Sequence, residues 1–315
     1  MITTLTLNPC IDHTIEVNGM EIGGTNRIKQ VKKEVGGKGI NVCTALVQLG
    51  YESETLLFIH EKEAVSLTKY LTEKGIGCHG VSVPGELRTN IKVFDAQKRE
   101  MTEFNESGSP VPEAASDRML TLIKEKLTET DILVVTGSVP PGVPADIYAE
   151  AIRLAKESGV MTILDGDGEL LREGIKAKPD VIKPNIGELR RLLGRPIETE
   201  EEIIGAATEL VEMGIPYVCV SVGADGAYLI CKEGVYFTKG AEITVRGVQG
   251  AGDSLVAGFA MGLLEGKRPE ESLRLAVACA NGSLTHEGTG MCTKEDVERL
   301  LGQVEVKDIC GRIYV

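Results

Sequence analysis

The 315-residue chain has no tryptophan and only five phenylalanines. Single-stranded nucleic acids are usually held by stacking bases on aromatic rings, so a nucleic-acid platform is not expected. Cationic side chains are also in deficit: 34 Lys and Arg stand against 47 Asp and Glu, a net charge of −13. Such a surface repels DNA, RNA and anionic membranes. It repels phosphate ligands as well, so any phosphate site must be locally positive, which draws attention to Arg27, Lys38, Arg88, Lys92 and Lys183. The four histidines lie far apart, and the eight cysteines (10, 43, 78, 219, 231, 279, 292 and 310) include no CxxC pair. Neither a zinc site nor a disulfide framework is expected, and scattered thiols suit a reducing cytoplasm. No apolar run approaches a membrane span. The opening MITTLTLNPCIDHT has no basic segment followed by an apolar stretch, so it does not read as a signal peptide.

Buried-strand runs alternate with helical periodicity. Residues 54–60, 132–138, 160–165, 180–184 and 217–222 read as strands; 40–49, 61–74, 113–129, 144–158 and 199–213 read as helices. Several helices stop at glycine, as at Gly50, Gly75, Gly159 and Gly214. This alternation predicts an α/β fold with a mainly parallel sheet covered on both faces, whose ligands bind at the carboxyl ends of the strands. Residues 10–34 and 87–106 are polar and alternating, and predict a small β-sheet lid, with a hairpin turning near Gln97; an edge extension of the main sheet is the alternative. A second hairpin is expected over 226–239, followed by helices at 254–265, 269–285 and 294–302.

Four motifs could carry chemistry. Gly250-Ala251-Gly252-Asp253 precedes an apolar helix, so converging backbone N–H groups could form an anion hole with Asp253 as a base. An Asp at a helix N-terminus is a weak base, which a loose phosphoryl-transfer transition state tolerates. An ordinary helix start capped by Asp253 or Ser254 explains the motif equally well. Gly36-Gly37-Lys38-Gly39-Ile40-Asn41 also opens a helix but lacks the Walker A spacing; a glycine turn with a solvated lysine is the alternative. In Lys183-Pro184-Asn185-Ile186-Gly187-Glu188, Asn185 and Glu188 share a helix face and could hold hydrated Mg²⁺, or simply form a capping box. Ser221 to Gly226 would let a nucleotide phosphate approach the backbone, or is a plain turn between strands.

Together, and in this order, the motifs resemble the PfkB, or ribokinase-like, carbohydrate-kinase family. The likeness runs from Thr6-Leu-Asn-Pro-Cys-Ile-Asp12 to about Glu287-Gly-Thr-Gly290, with GGKGINVCTALVQLG at 36–50 and VQGAGDSLVAGFAMG at 248–262 as its two signatures. It implies a three-layer α/β/α sandwich with a Rossmann-like sheet and a β-lid, as one kinase domain over 1–315. Within the family the chain looks like the phosphosugar branch: 1-phosphofructokinase, tagatose-6-phosphate kinase and the minor 6-phosphofructokinase. Arg88-Thr-Asn90-Ile-Lys92 and Thr102-Glu-Phe-Asn105-Glu106 look most like 1-phosphofructokinase, since tagatose-6-phosphate kinases carry an apolar residue at the position of Asn105.

The resemblance implies ATP and Mg²⁺ as cofactors and a ketohexose phosphate as acceptor, D-fructose 1-phosphate before tagatose 6-phosphate or fructose 6-phosphate. Asp12, Gly37, Lys38, Asn41 and Asn90 would bind the sugar, and Arg88, with Arg27, Lys92 or Ser138, its phosphate. Lys183, Asn185, Ser221, Gly223, Gly226 and Asn281 would hold the nucleotide, and Glu188 the metal through water. Gly250, Ala251 and Gly252 would form the anion hole beside the base Asp253. Lids of this branch often pair, so a homodimer through the lid is implied. Gln249 stands where relatives often have an apolar or small residue, and Val139 where the usual residue is Leu. A non-catalytic sugar-phosphate sensor on the same fold is the remaining alternative.

Overall fold

A computed structural model describes residues 1–288 and 290–309; Thr289 and Cys310 of the sequence motifs lie outside the described residues. In chain order the strands are β1 (Ile2–Thr6), β2 (Cys10–Val17), β3 (Gln30–Gly36), β4 (Ser53–His60), β5 (Gly77–Val83), β6 (Arg88–Asp95), β7 (Glu100–Asn105), β8 (Ile132–Thr136), β9 (Met161–Asp165), β10 (Val181–Ile182), β11 (Tyr217–Ser221), β12 (Ala227–Cys231), β13 (Gly234–Thr238) and β14 (Lys307–Asp308). The α-helices are α1 (Lys38–Gln48), α2 (Ala64–Glu73), α3 (Glu113–Lys126), α4 (Ile147–Glu157), α5 (Gly168–Gly174), α6 (Ile186–Leu193), α7 (Glu200–Glu212), α8 (Ala251–Leu264), α9 (Pro269–Leu284) and α10 (Lys294–Leu301).

Ten strands form one sheet in the order β14-β13-β12-β11-β10-β9-β8-β1-β4-β5. From β11 to β5 all neighbours are parallel, and β12 to β14 add an antiparallel margin. Side chains alternate across the sheet with period two, so each strand feeds two cores. Leu5, Leu133, Val135, Leu164, Ile182 and Val220 meet the face covered by α3 to α7. Ile2, Ile132, Val134, Ile163, Val181 and Cys219 meet the face covered by α1, α8, α9 and α10. Each fully buried Leu, Ile or Phe contributes about 1.5–3 kcal/mol, which is why the sandwich closes on both sides. Helix α8 is buried from Asp253 through Gly262. Its Gly258 lets α9 cross in near backbone contact, since a Cβ there would lie 2.7 Å from the Ala276 Cα.

The expected lid is a separate four-stranded sheet, β3-β2-β6-β7, and not an extension of the main sheet. Its β6–β7 hairpin turns at Ala96–Arg99, where the Asp95 carboxylate accepts from the Gln97 and Lys98 amides and, across the lid, from Gly19 and Met20. These bonds hold Asp95 down to about 2.

The structure adds elements that the periodicity did not show. Central strand β1 is threonine-rich, yet Thr3, Thr4 and Thr6 are buried. Their hydroxyls find partners in Glu54, the Gly39 carbonyl and Thr55, which removes the cost of burying them. Strand β5 is interrupted by Gly80, and α5 and α6 are too short to display a period.

Candidate active site

The chain winds outward from β1 through β4 to β5, then in the other direction from β8 to β11. The sheet's topological switch therefore lies between β1 and β8, where open α/β sheets leave a crevice at the carboxyl ends of the strands. A cavity of about 580 Å³ opens there. Thr6 and Asn8 line it from the end of β1, and Thr136, Gly137 and Ser138 from the end of β8. From the lid come Cys10, Asp12, Arg88, Asn90, Lys92, Glu103 and Asn105. Gly37 and, from α1, Lys38 and Asn41, with Gln249, Gly250 and Asp253, close the remaining side, beside Asp167 and Glu188.

On the lid wall, Asp12 is buried and paired with Lys92 at 2.9 Å. Asn90 Nδ2 donates to Asp12 Oδ1 at 3.1 Å, while Asn90 Oδ1 is buried without a partner. Asn90 also lines the cavity, and an unpaired buried amide oxygen is a group that calls for a hydrogen-bond donor. Cys10 leans on Asp12 and is buried, and that burial, with the Asp12 charge, pushes its thiol up to about 12. It is no nucleophile. Arg88 donates to the backbone carbonyls of Asn8 (3.2 Å) and Glu106 (3.0 Å). Among the described residues it forms no ion pair, so its charge is available to an anion in the cavity.

The glycines of the first motif serve close approach. Gly37 has φ +132°, and a Cβ there would meet Thr6 Cγ2 at 2.8 Å. Lys38 then starts α1 and reaches Asp165 Oδ2 at 3.1 Å. Its pKa is raised, chiefly by the Asp165 charge.

The second signature decides between two readings. The residue capping α8 is Gly250, in a left-handed conformation at φ +73°, and no side chain caps the helix. Asp253 is therefore not spent on capping. It is 6% exposed, lines the cavity, and accepts from Asn41 Nδ2 at 2.8 Å. Burial raises its pKa, with Lys38 opposing. The direction is opposite to the one expected from a helix N-terminus alone, with desolvation as the largest cause. A Cβ at Gly252 would stand 3.7 Å from the Lys183 ammonium, an ordinary contact, so the glycine turn lies directly beside that cation.

One buried residue escaped the sequence reading. Asp165 ends β9, is 1% exposed, and pairs with Lys183 at 3.0 Å and Lys38 at 3.1 Å. Thr136 Oγ1 also donates to it. Burial alone would lift Asp165, but Lys183 and then Lys38 hold it down to about 2. One carboxylate thus converges two cations from opposite motifs. A solitary Asp after an apolar run was its only signal, as a lone Asn after β1 was for Asn8, which donates to Ser138 Oγ at 3.2 Å.

Asn185 and Glu188 form the capping box of α6: Asn185 Oδ1 accepts from the Glu188 amide and Glu188 Oε2 from the Asn185 amide. Glu188 nevertheless lines the cavity. No group of three or more His, Cys, Asp or Glu among the described residues could hold a metal ion directly. A hydrated Mg²⁺, which keeps most of its waters and needs only one or two carboxylates, fits this donor set.

Arg27 is exposed on the β2–β3 loop, outside the cavity lining. Lys183 is buried, paired with Asp165, and is not among the residues lining the cavity. Ser221 ends β11, and Gly223 and Gly226 bound a short 3-10 turn into β12. There a Cβ at Gly226 would collide with the Thr238 carbonyl. Asn281 accepts from the Ala241 amide at 2.8 Å, fixing the loop after β13. These four lie outside the cavity lining: Ser221, Gly223 and Gly226 at the β11–β12 connection, and Asn281 on α9.

A doubly wound sheet, a β-lid, and a buried carboxylate one turn into a glycine-started helix define a phosphotransferase of the kinase class. The chain belongs to the pfkB family of carbohydrate kinases, whose model matches residues 5–296. It is 34% identical to the 1-phosphofructokinase of Bacillus subtilis over 306 residues, 97% of this chain and 99% of the relative. It is 32% identical to a tagatose-6-phosphate kinase of Staphylococcus epidermidis over 312 residues, 98% of this chain and all of the relative. The crystal structure of Escherichia coli phosphofructokinase-2 in complex with fructose-6-phosphate superposes with a TM-score of 0.87 at 27% identity, covering 96% of this chain and 98% of that one. No helix among the described residues is long and apolar enough to cross a membrane.

Proposed function

We propose that the protein transfers the γ-phosphoryl group of ATP to D-fructose 1-phosphate, giving ADP and fructose 1,6-bisphosphate. The observation that carries this reading is the uncapped, buried Asp253 carboxylate sharing one cavity with Asp12, Asn90 and Arg88. Arg88, with Ser138 and Lys92, takes the phosphate already on the sugar, and Asp12, Asn90, Gly37, Lys38 and Asn41 its hydroxyls. Asp253 accepts the proton of the attacking hydroxyl. The amides of Gly250, Ala251 and Gly252 receive the charge of the phosphoryl group in transfer. Lys183, Asn185, Ser221, Gly223, Gly226 and Asn281 accommodate the nucleotide. Glu188 would hold Mg²⁺ through water, and that ion would neutralise charge on the ATP phosphates.

Asn105 lines the cavity, which supports the 1-phosphate over the tagatose reading. Tagatose 6-phosphate is the second reading, favoured by the Staphylococcus epidermidis relative. ADP release measured across fructose 1-phosphate, tagatose 6-phosphate and fructose 6-phosphate separates them. The highest kcat/KM is expected for fructose 1-phosphate; a highest value for tagatose 6-phosphate would overturn the substrate assignment.

The lid also supports a homodimer. Its two faces differ in chemistry: Asp12, Asn90, Lys92 and Glu103 point into the cavity, whereas Ile15, Val31, Ile91 and Phe104 alternate onto the other face. Val31 (48%), Ile91 (40%) and Phe104 (53%) are left exposed. A contiguous apolar sheet face of this kind marks an association surface. Phe104→Lys is expected to shift the protein from dimer to monomer in sedimentation velocity; a wild-type monomer at micromolar concentration would remove the proposal.

A further inference from the structure

Gln249 stands in the second signature, immediately before the glycine turn. Its side chain reaches across the cavity to the lid. Gln249 Oε1 accepts from Lys92 Nζ at 3.3 Å, and Gln249 Nε2 donates to Glu103 Oε1 at 3.4 Å. Lys92 lies on β6 and Glu103 on β7, directly opposite each other in the hairpin register. One amide from the main body thus fastens both strands of the lid hairpin. Lys92 is 8% exposed and held on its other side by Asp12 at 2.9 Å, so Gln249 completes its environment. All of these residues line the same cavity as Asp253. An apolar residue at position 249 could make neither bond.

We infer that Gln249 is a positioning residue: it latches the lid hairpin to the glycine turn and sets Lys92 against the phosphosugar. The inference rests on the proposed phosphosugar reading for its kinetic consequence, but the latch itself does not. Both contacts are long, so their joint loss corresponds to the lower end of the range for hydrogen bonds to charged groups, roughly a tenfold effect. That effect falls on the sugar side, because the lid carries sugar-side residues and none of the nucleotide-side ones.

The test exploits donor direction. Gln249→Glu keeps an acceptor for Lys92 but sets a carboxylate against Glu103, and should unlatch the hairpin. Adding Glu103→Gln restores a donor–acceptor pair with its direction reversed and the net charge of the wild type. For Gln249→Glu, which breaks the Glu103 contact and keeps the Lys92 one, the KM for fructose 1-phosphate is expected to rise roughly fivefold, short of the tenfold for losing both, with the KM for ATP unchanged. Backbone amides of residues 88–105 should exchange faster in the ligand-free protein. The double variant should recover both. Unchanged exchange and KM in the single variant, or a double variant no better than the single one, would overturn the latch. If wild-type protein turns over no phosphosugar, the functional reading fails, and hydrogen exchange still decides the latch. Should Gln249→Glu fail to fold, Glu103→Ala removes the same contact from an exposed strand position and is expected to raise KM and exchange alike; no change there would overturn the proposal too.

Discussion

Asp253→Asn is expected to lower kcat by roughly 10²–10⁴, the usual contribution of a positioned general base. Binding of ATP and phosphosugar should persist, because the amide has nearly the shape of the carboxylate and retains an oxygen for Asn41 at the 2.8 Å contact. The pH profile supplies an independent check. Burial has raised the Asp253 pKa above its ordinary value near 3.9, and only the ionised form accepts a proton. Wild-type kcat/KM should therefore fall as pH drops through that raised value, earlier than an exposed aspartate would allow. Asn41→Ala removes a hydrogen bond to the charged form, so the acid limb should move to still higher pH. Near-normal turnover by Asp253→Asn would remove this residue from the mechanism.

Arg88→Ala should weaken the phosphosugar by about 1.5–3 kcal/mol, roughly tenfold to a hundredfold in KM, as expected for losing a charge-assisted bond. The guanidinium is anchored by the backbone carbonyls of Asn8 and Glu106 and carries no carboxylate partner among the described residues. In a chain of net charge −13, a cation left unpaired beside a cavity is a specific arrangement for an anion. An unphosphorylated ketohexose should lose far less affinity. Arg88→Lys should recover only part of the effect, since an ammonium lacks the planar fork. Equal losses for phosphorylated and unphosphorylated sugars would show that Arg88 does not clamp the phosphate.

What the sequence disclosed follows from which residues leave a local trace. Gly37 and Gly250 were legible because only glycine tolerates those turns, and each was followed by a helical period. The lid was legible as alternating polarity, since one of its faces lines a polar cavity. Strand β1 was not, because its threonines look polar until Glu54, Gly39 and Thr55 are brought beside them by the fold. Asp165 was missed for the same reason: its partners stand 127 and 18 residues away in sequence, and nothing adjacent to it marks the pair of lysines it binds. The Asn185–Glu188 pair shows the converse. Its local reading as a capping box is realised, while the presence of Glu188 in the cavity wall depends on the whole sheet.

The lid hangs on very short tethers. Residues 7–9 join β1 to β2, Gly37 alone stands between β3 and α1, and residues 84–87 join β5 to β6. A fourth link, residues 106–112, runs from β7 to α3. Of the four, the Gly37 joint leads straight into Lys38, whose ammonium is fixed to the main body by Asp165 at 3.1 Å. The lid sheet and the cation at the crevice are therefore a single residue apart along the backbone.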